Sequence, residues 1–190
     1  YAIFDDEAVR RASCQEIIRR YFDALNALAK GSTSEKEAQK IELLMNMAGI
    51  TVTDRKVVIK ALERAKETDG PAAALELRDG RIITGKTTNL LGASAALLLN
   101  VLKVLAGIDH ETHIISPESI EPIQKLKVDY LKSKNPRLHT DEVLIALSAS
   151  AATNPQARLA LSQLPELAGC QAHTSVMLSD VDIKIFKKLE

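Results

Sequence analysis

Residues 79–87 read Asp79-Gly80-Arg81-Ile82-Ile83-Thr84-Gly85-Lys86-Thr87, and the fold of the surrounding chain turns on whether they form a loop or part of two paired strands. From Gly80 onward they match the phosphate-loop pattern G-x-x-x-x-G-K-[ST]. In such a loop the glycines let backbone N–H groups wrap a phosphate, the lysine reaches its outer oxygens and the hydroxyl holds Mg²⁺. Gly85, Lys86 and Thr87 are therefore candidate cofactor-binding residues. The filling of the pattern argues the other way. Ile82 and Ile83 are β-branched and suit an extended strand, and Asp79-Gly80 is a hairpin-turn dipeptide flanked by the apolar runs 72–77 and 82–84. A β-hairpin turning at Asp79-Gly80 accounts for these residues without a ligand, and it is the reading adopted.

Composition sets the outer bounds. Of 190 residues, 46% are hydrophobic and 26% charged, which suits a globular chain with a full core. Lys plus Arg equals Asp plus Glu at 25 each, so no net basic field draws the chain to nucleic acid or to a membrane. Aromatic residues make up 3% and Trp is absent, leaving few surfaces on which bases could stack. The longest apolar stretch, residues 93–105, is interrupted by Asn100 and Lys103 and is too short to span a bilayer. Cys14 and Cys170 outline no disulfide framework, so a reduced, cytoplasmic setting is expected. The chain begins at Tyr1 rather than Met, as a piece of a longer protein would.

Along the chain, helical periodicity dominates the first third. Asp5, Asp6 and Glu7 favour a helix N-terminus, and a stripe from Val9 to Leu28 follows. Ser34 with Glu37 has the spacing of a capping box for a second helix closed by Gly49. Thr53 is placed to cap a third, which Asp69-Gly70-Pro71 stops. After the hairpin, residues 90–106 carry leucines at consecutive positions, so that helix must be buried on several sides. A strand is expected over 112–116, a tight turn over 117–121 and a helix with Pro122 at its first position. Thr140 caps the next helix, Asn154-Pro155 starts a short one, residues 172–178 read as a strand, and Ser179 with Asp182 opens the last helix. The fold expected is α/β and helix-rich. A three-helix leader, residues 1–69, packs on an α/β domain, residues 70–190, which holds a small mixed sheet, the hairpin and the buried central helix.

Two resemblances bear on function. The order hairpin, buried helix, strand, turn, helix, strand and helix is similar to the cytidine deaminase fold, which sets its zinc ligands at the start of the buried helix and in a Pro-Cys-x-x-Cys turn. The matching places here hold Gly92-Ala93-Ser94-Ala95 and Pro117-Glu118-Ser119-Ile120-Glu121, which lack the thiolates, so only the layering is shared. A more specific resemblance rests on Gln15-Glu16-Ile17-Ile18-Arg19-Arg20-Tyr21-Phe22, Glu142-Val143-Leu144-Ile145-Ala146-Leu147-Ser148, Ala151-Ala152-Thr153-Asn154-Pro155 and Gly169-Cys170-Gln171-Ala172-His173. These segments resemble the C-terminal part of an uncharacterised bacterial cytoplasmic family known as a domain of unknown function, some members of which carry an ATP-dependent peptidase label. The resemblance implies a full-length protein more than twice as long, whose N-terminal half carries its own Gly-rich Gly-Lys loop and is the partner of this chain. It transfers no catalytic residue.

The remaining polar groups are sparse. Gln171 and His173 enter a strand from a loop, a position from which α/β proteins present ligand-binding groups, and they join the candidate cofactor-binding residues. His113, Glu118 and Glu121 are weak candidates for a metal, since their spacing is no specific signature and a solvated loop at His110 and Glu111, with His113 opening a strand, explains the segment better. No Ser or Cys sits in a nucleophile motif such as G-x-S-x-G. Three functions follow. An interaction domain would complete a ligand site or a homo-oligomer for a catalytic half elsewhere, in a protein that handles nucleotides. A nucleotide-binding phosphotransferase would use the 80–87 loop with Asp180 on Mg²⁺. A non-zinc deaminase-like enzyme would gather His113, Glu118 and Glu121. The first is preferred, with homo-oligomerisation expected, no nucleic-acid or membrane partner, and no particular cofactor specified.

Overall fold

The structure, a computed structural model, describes residues 5–189. The chain divides into two compact units, Tyr1–Lys56 and Val57–Glu190.

The first unit holds helix α1, Asp6–Ala29, and helix α2, Glu35–Ala48. Asp5 caps α1 by accepting from the Ala8 N–H at 2.8 Å, and Arg19 and Arg20 both bond Glu16. Those two guanidinium groups hold the Glu16 pKa down to about 2. The two helices pack together, with Ile18, Ala24, Ala38 and Met45 as their buried residues. Gly49 ends α2 in the left-handed conformation that glycine adopts without strain, φ 65°. The expected capping box is not made: the Ser34 side chain forms no capping bond. Thr51 and Asp54, rather than Thr53, organise the turn that follows.

Helix α3, Lys56–Thr68, opens the second unit from its second residue, Val57. Strands β1, Ala72–Glu76, and β2, Ile82–Lys86, then form the hairpin expected from Asp79-Gly80. Gly80 turns the chain at φ 82°, and its N–H bonds the Leu77 carbonyl at 2.9 Å. Strand β3, Gln171–Thr174, pairs with the other edge of β1, giving the order β2-β1-β3. Both pairings are antiparallel, so the sheet is antiparallel and not mixed. Side chains alternate between its faces. Ala74 packs with Val57 and Ala61 of α3, whereas Ala73 and Leu75 belong to the larger core built around helix α4, Ala93–Leu105.

Helix α4 is the buried central helix that its leucines demand: Leu97, Leu98, Val101 and Leu102 are all at most 1% exposed. It comes so close to β2 that a Cβ on Gly85 would stand 2.2 Å from the Leu97 nitrogen. The second glycine of the phosphate-loop pattern is therefore a packing glycine inside a strand.

Downstream, three expectations fail. Residues 112–116 form no strand; Ile114 and Ile115 are buried by core packing without ladder pairing. The cytidine-deaminase-like layering loses the strand on which its element order depended. Helix α5, Pro117–Lys125, starts at Pro117, and Pro122 lies inside it. Pro117 already fills the first helical position, where a missing N–H costs nothing. One π turn, Leu126–Tyr130, prolongs α5. Helices α6, Thr140–Ser150, α7, Pro155–Leu161, and α8, Asp180–Leu189, complete the unit. Asn154 caps α7 as expected, accepting from the Gln156 and Ala157 N–H groups. Strand β3 ends at Thr174, short of the expected 178. Among the described residues, no helix is long and apolar enough to cross a membrane.

Two substitutions test this core by urea denaturation. Gly85→Ala forces α4 away from β2 and should destabilise the fold by about 3 kcal/mol, as overpacking of a tight contact does. Leu98→Ala removes a fully buried side chain and should cost about 2–5 kcal/mol. A neutral Gly85→Ala would show that the strand–helix contact is looser than the geometry described.

Candidate functional site

A cleft of about 570 Å³ opens in the second unit beside the free edge of β2, within the size range of small-molecule sites. The central helix supplies one wall. Ala96, Leu99, Asn100 and Lys103 recur at the i, i+3, i+4, i+7 spacing of one helical face, and all four line the cleft. Asn100 Nδ2 donates to the Thr84 carbonyl at 2.9 Å, satisfying an acceptor at the strand edge and fastening helix to sheet. Thr84 and Lys86 of β2 and Arg64 of α3 form the next wall. The segment 110–115 and the loop 88–91 close the rest. That loop is pinned from outside, because Arg137 Nε donates to the Thr88 carbonyl at 2.8 Å and Gln124 Nε2 to the Asn89 carbonyl at 3.2 Å.

The lining is basic in character. Among the described residues Arg64, Lys86 and Lys103 line the cleft together with His110 and His113, and Glu111 is the one acidic residue. The Lys103 side chain is buried, and its ammonium donates to the His110 carbonyl, tying the 108–113 loop to α4. Burial pushes the Lys103 pKa down, opposed through space by Asp109 and Glu111. Arg64 gives one N–H to Glu67 at 3.0 Å, while its buried Nε has no hydrogen-bond partner among the described residues. The other buried lysine is a useful contrast: Lys127 bonds the Glu142 carboxylate at 2.7 Å and the Arg137 carbonyl at 2.6 Å. Its charge is paired within the fold.

A second polar cluster serves the architecture. Asp182 is buried where the starts of α6 and α8 meet; its carboxylate accepts from the Thr140 N–H, the Thr140 and Ser179 hydroxyls, and lies 3.2 Å from His139 Nδ1. Ser179 and Asp182 both approach the same imidazole nitrogen, so no base relays through the ring from acid to hydroxyl as hydrolytic triads require. Asp182 instead satisfies the first turns of two helices at once. Burial raises its pKa, but the hydrogen bonds from Thr140, Ser179 and His139 outweigh this and leave it lowered. Thr140, expected as a cap, spends its hydroxyl here, and α6 begins with the His139 N–H bonded to Glu142 at 2.8 Å.

The residues singled out from sequence are divided by the fold. Lys86 and His113 line the cleft. Gly85 is buried against α4, and the Thr87 N–H pairs with the Pro71 carbonyl, continuing the hairpin. Residues 82–86 are thus strand, not the anion-wrapping loop that the phosphotransferase reading requires. Gln171 and His173 belong to β3, on the opposite edge of the sheet from Lys86. Glu118 and Glu121 are exposed on α5. No three His, Cys, Asp or Glu side chains among the described residues are grouped to hold a metal ion, so His113, Glu118 and Glu121 do not assemble one. Cys170 is no activated nucleophile, since burial pushes its thiol pKa up. Arg64, Asn100 and Lys103 were not singled out by sequence reasoning, although a polar pair on an otherwise leucine-rich helix marks the latter two.

The fold and the cleft belong to a protein with known relatives. The family model described as "Domain of unknown function DUF1846, C-terminal" matches residues 53–190, and its N-terminal counterpart matches residues 1–49. The chain belongs to the DUF1846 family. It is 58% identical over 189 residues to a "UPF0371 protein" of Corynebacterium aurimucosum, covering 100% of this chain and 38% of that protein. It is 49% identical, with the same coverage, to "UPF0371 protein str1377" of Streptococcus thermophilus. The chain thus spans well under half the length of the relatives it matches.

The Asp182 cluster makes a pH-dependent prediction. A carboxylate whose folded pKa is depressed contributes stability above its unfolded value, near 3.8, and loses it as pH falls through the lower folded value. Asp182→Asn should flatten the decline of urea stability below pH 3.8 and destabilise the neutral protein by about 1–3 kcal/mol through unsatisfied donors. An unchanged acid limb would show that other carboxylates dominate it.

Proposed function

We propose that this chain is the C-terminal, ligand-site-completing part of a longer bacterial cytoplasmic protein, and that the cleft beside β2 is its contribution to that site. The observation that carries the reading is one helix face, with Asn100 and Lys103, meeting a strand edge and two pinned loops around a cavity of metabolite size. The chain covers 38% of its relatives' length, which supports a division of labour in which chemistry lies with the remainder. Association of copies through such a protein fits the same reading, as does a nucleotide-handling activity located outside these residues. A phosphotransferase centred on residues 80–87 lacks support, because the segment is hydrogen-bonded as a strand.

Hydrogen–deuterium exchange on the full-length Corynebacterium aurimucosum relative tests the proposal, using the metabolite that most stabilises it in a thermal-shift screen. Protection is expected in the segments equivalent to residues 84–91 and 108–117. Protection confined to the part of that protein outside this chain would overturn the reading.

A further inference from the structure

The cleft combines basic groups with aliphatic walls, and these narrow what it can hold. Lys103 is an ammonium buried in the core-facing wall, with one carbonyl partner and no ion pair among the described residues. An ammonium has three donors, so two are left for an acceptor in the cleft. Arg64 adds a buried N–H with no partner among the described residues. Burying cationic donors without acceptors is costly, and an anionic ligand would offset that cost. Lys127 shows how the same fold treats a lysine that serves only its architecture, by giving it a carboxylate.

The rest of the lining limits the ligand's body. Leu91, Leu99, Ile114 and Ile120 offer aliphatic surface, and no Phe, Tyr or Trp among the described residues lines the cleft. A nucleobase therefore finds no phenyl, phenol or indole ring to stack on, only the smaller imidazoles of His110 and His113. Asn100, Thr88 and Thr112 supply neutral polar groups suited to hydroxyls.

We infer that the cleft binds a small phosphate ester with a non-aromatic, hydroxyl-bearing body, of the sugar-phosphate class, and that Lys103 and Arg64 hold its phosphate. The inference rests on the proposal that the cleft is a ligand site and adds the identity of the ligand class. Phosphate suits the pair because a guanidinium and an ammonium can share its three terminal oxygens.

Calorimetric titration of this chain with glucose 6-phosphate, inorganic phosphate, glucose and ATP separates the alternatives. Glucose 6-phosphate should bind most tightly, inorganic phosphate more weakly, and glucose and ATP no better than millimolar. Lys103→Met and Arg64→Gln should each weaken glucose 6-phosphate by roughly tenfold, the loss expected for one charge-assisted hydrogen bond. Arg64 lies on a partly exposed helix, so Arg64→Gln keeps the test valid if Lys103→Met fails to fold. Equal binding of glucose and glucose 6-phosphate, tighter binding of ATP, no binding of any phosphate, or binding untouched in Arg64→Gln would each overturn the assignment. Cleft protection by an uncharged metabolite in the exchange experiment would sink this ligand class while leaving the cleft as a site. Protection elsewhere would remove the site itself.

Discussion

The absence of a side chain at residue 85 decides how the second unit is put together. With a hydrogen in place of Cβ, β2 lets the backbone of α4 approach to a distance no other residue permits. That contact fixes the helix in rotation as well as in distance. Once Leu97 lies over Gly85, Leu98, Val101 and Leu102 are buried in the core, and the Asn100–Lys103 edge of the helix is left beside the strand's free edge. Asn100 then reaches the Thr84 carbonyl and closes the seam. Core and cleft are two faces of one packing decision.

The same decision explains why a lysine is tolerated in so apolar a helix. Residue 103 sits one turn beyond Asn100, where the wall passes from sheet to loop, and the ammonium finds the His110 carbonyl there. A leucine at this position would leave that carbonyl without its donor and the 108–113 loop without its tether. The lysine thus orders the loop, and the loop in turn brings His110 and His113 to the cleft. Lysine suits such a border because its stem is aliphatic while its head is polar.

Much of this was legible before the fold was known. Asp79-Gly80 specified the hairpin because local turn chemistry needs no tertiary partner, and consecutive leucines specified the central helix because no single face could hold them. The failures have a common cause. Ile114 and Ile115 satisfy strand propensity, yet in the fold they fill a core from an irregular segment, and a short apolar run cannot reveal which surroundings will bury it. Local signals place the helix start at Pro122 after a turn over 117–121, whereas Pro117 fills the first helical position and Pro122 lies inside the helix. The phosphate-loop pattern matched in letters while its second glycine answered a need for close approach. Within the candidate site, two cleft-lining residues were singled out, Lys86 through the phosphate-loop match and His113 as a weak metal candidate. Arg64 was not, because nothing in the sequence places α3 beside the cleft. The i, i+3, i+4, i+7 spacing of Ala96, Leu99, Asn100 and Lys103 was present in the sequence and identifies a face less apolar than its neighbours.

The two polar clusters of the second unit differ in how their donors are matched to acceptors. Around Asp182 the donors are matched to acceptors: two hydroxyls, one backbone N–H and one imidazole converge on one carboxylate. Such a set stabilises the junction of α6 and α8 and leaves nothing to offer a ligand. Around Lys103 and Arg64 donors exceed acceptors, with one carbonyl for the ammonium and one glutamate for the guanidinium. A folded chain gains nothing from leaving such groups short of partners. Lys103 and Arg64 both line the cleft, so an anion bound there would offset the imbalance.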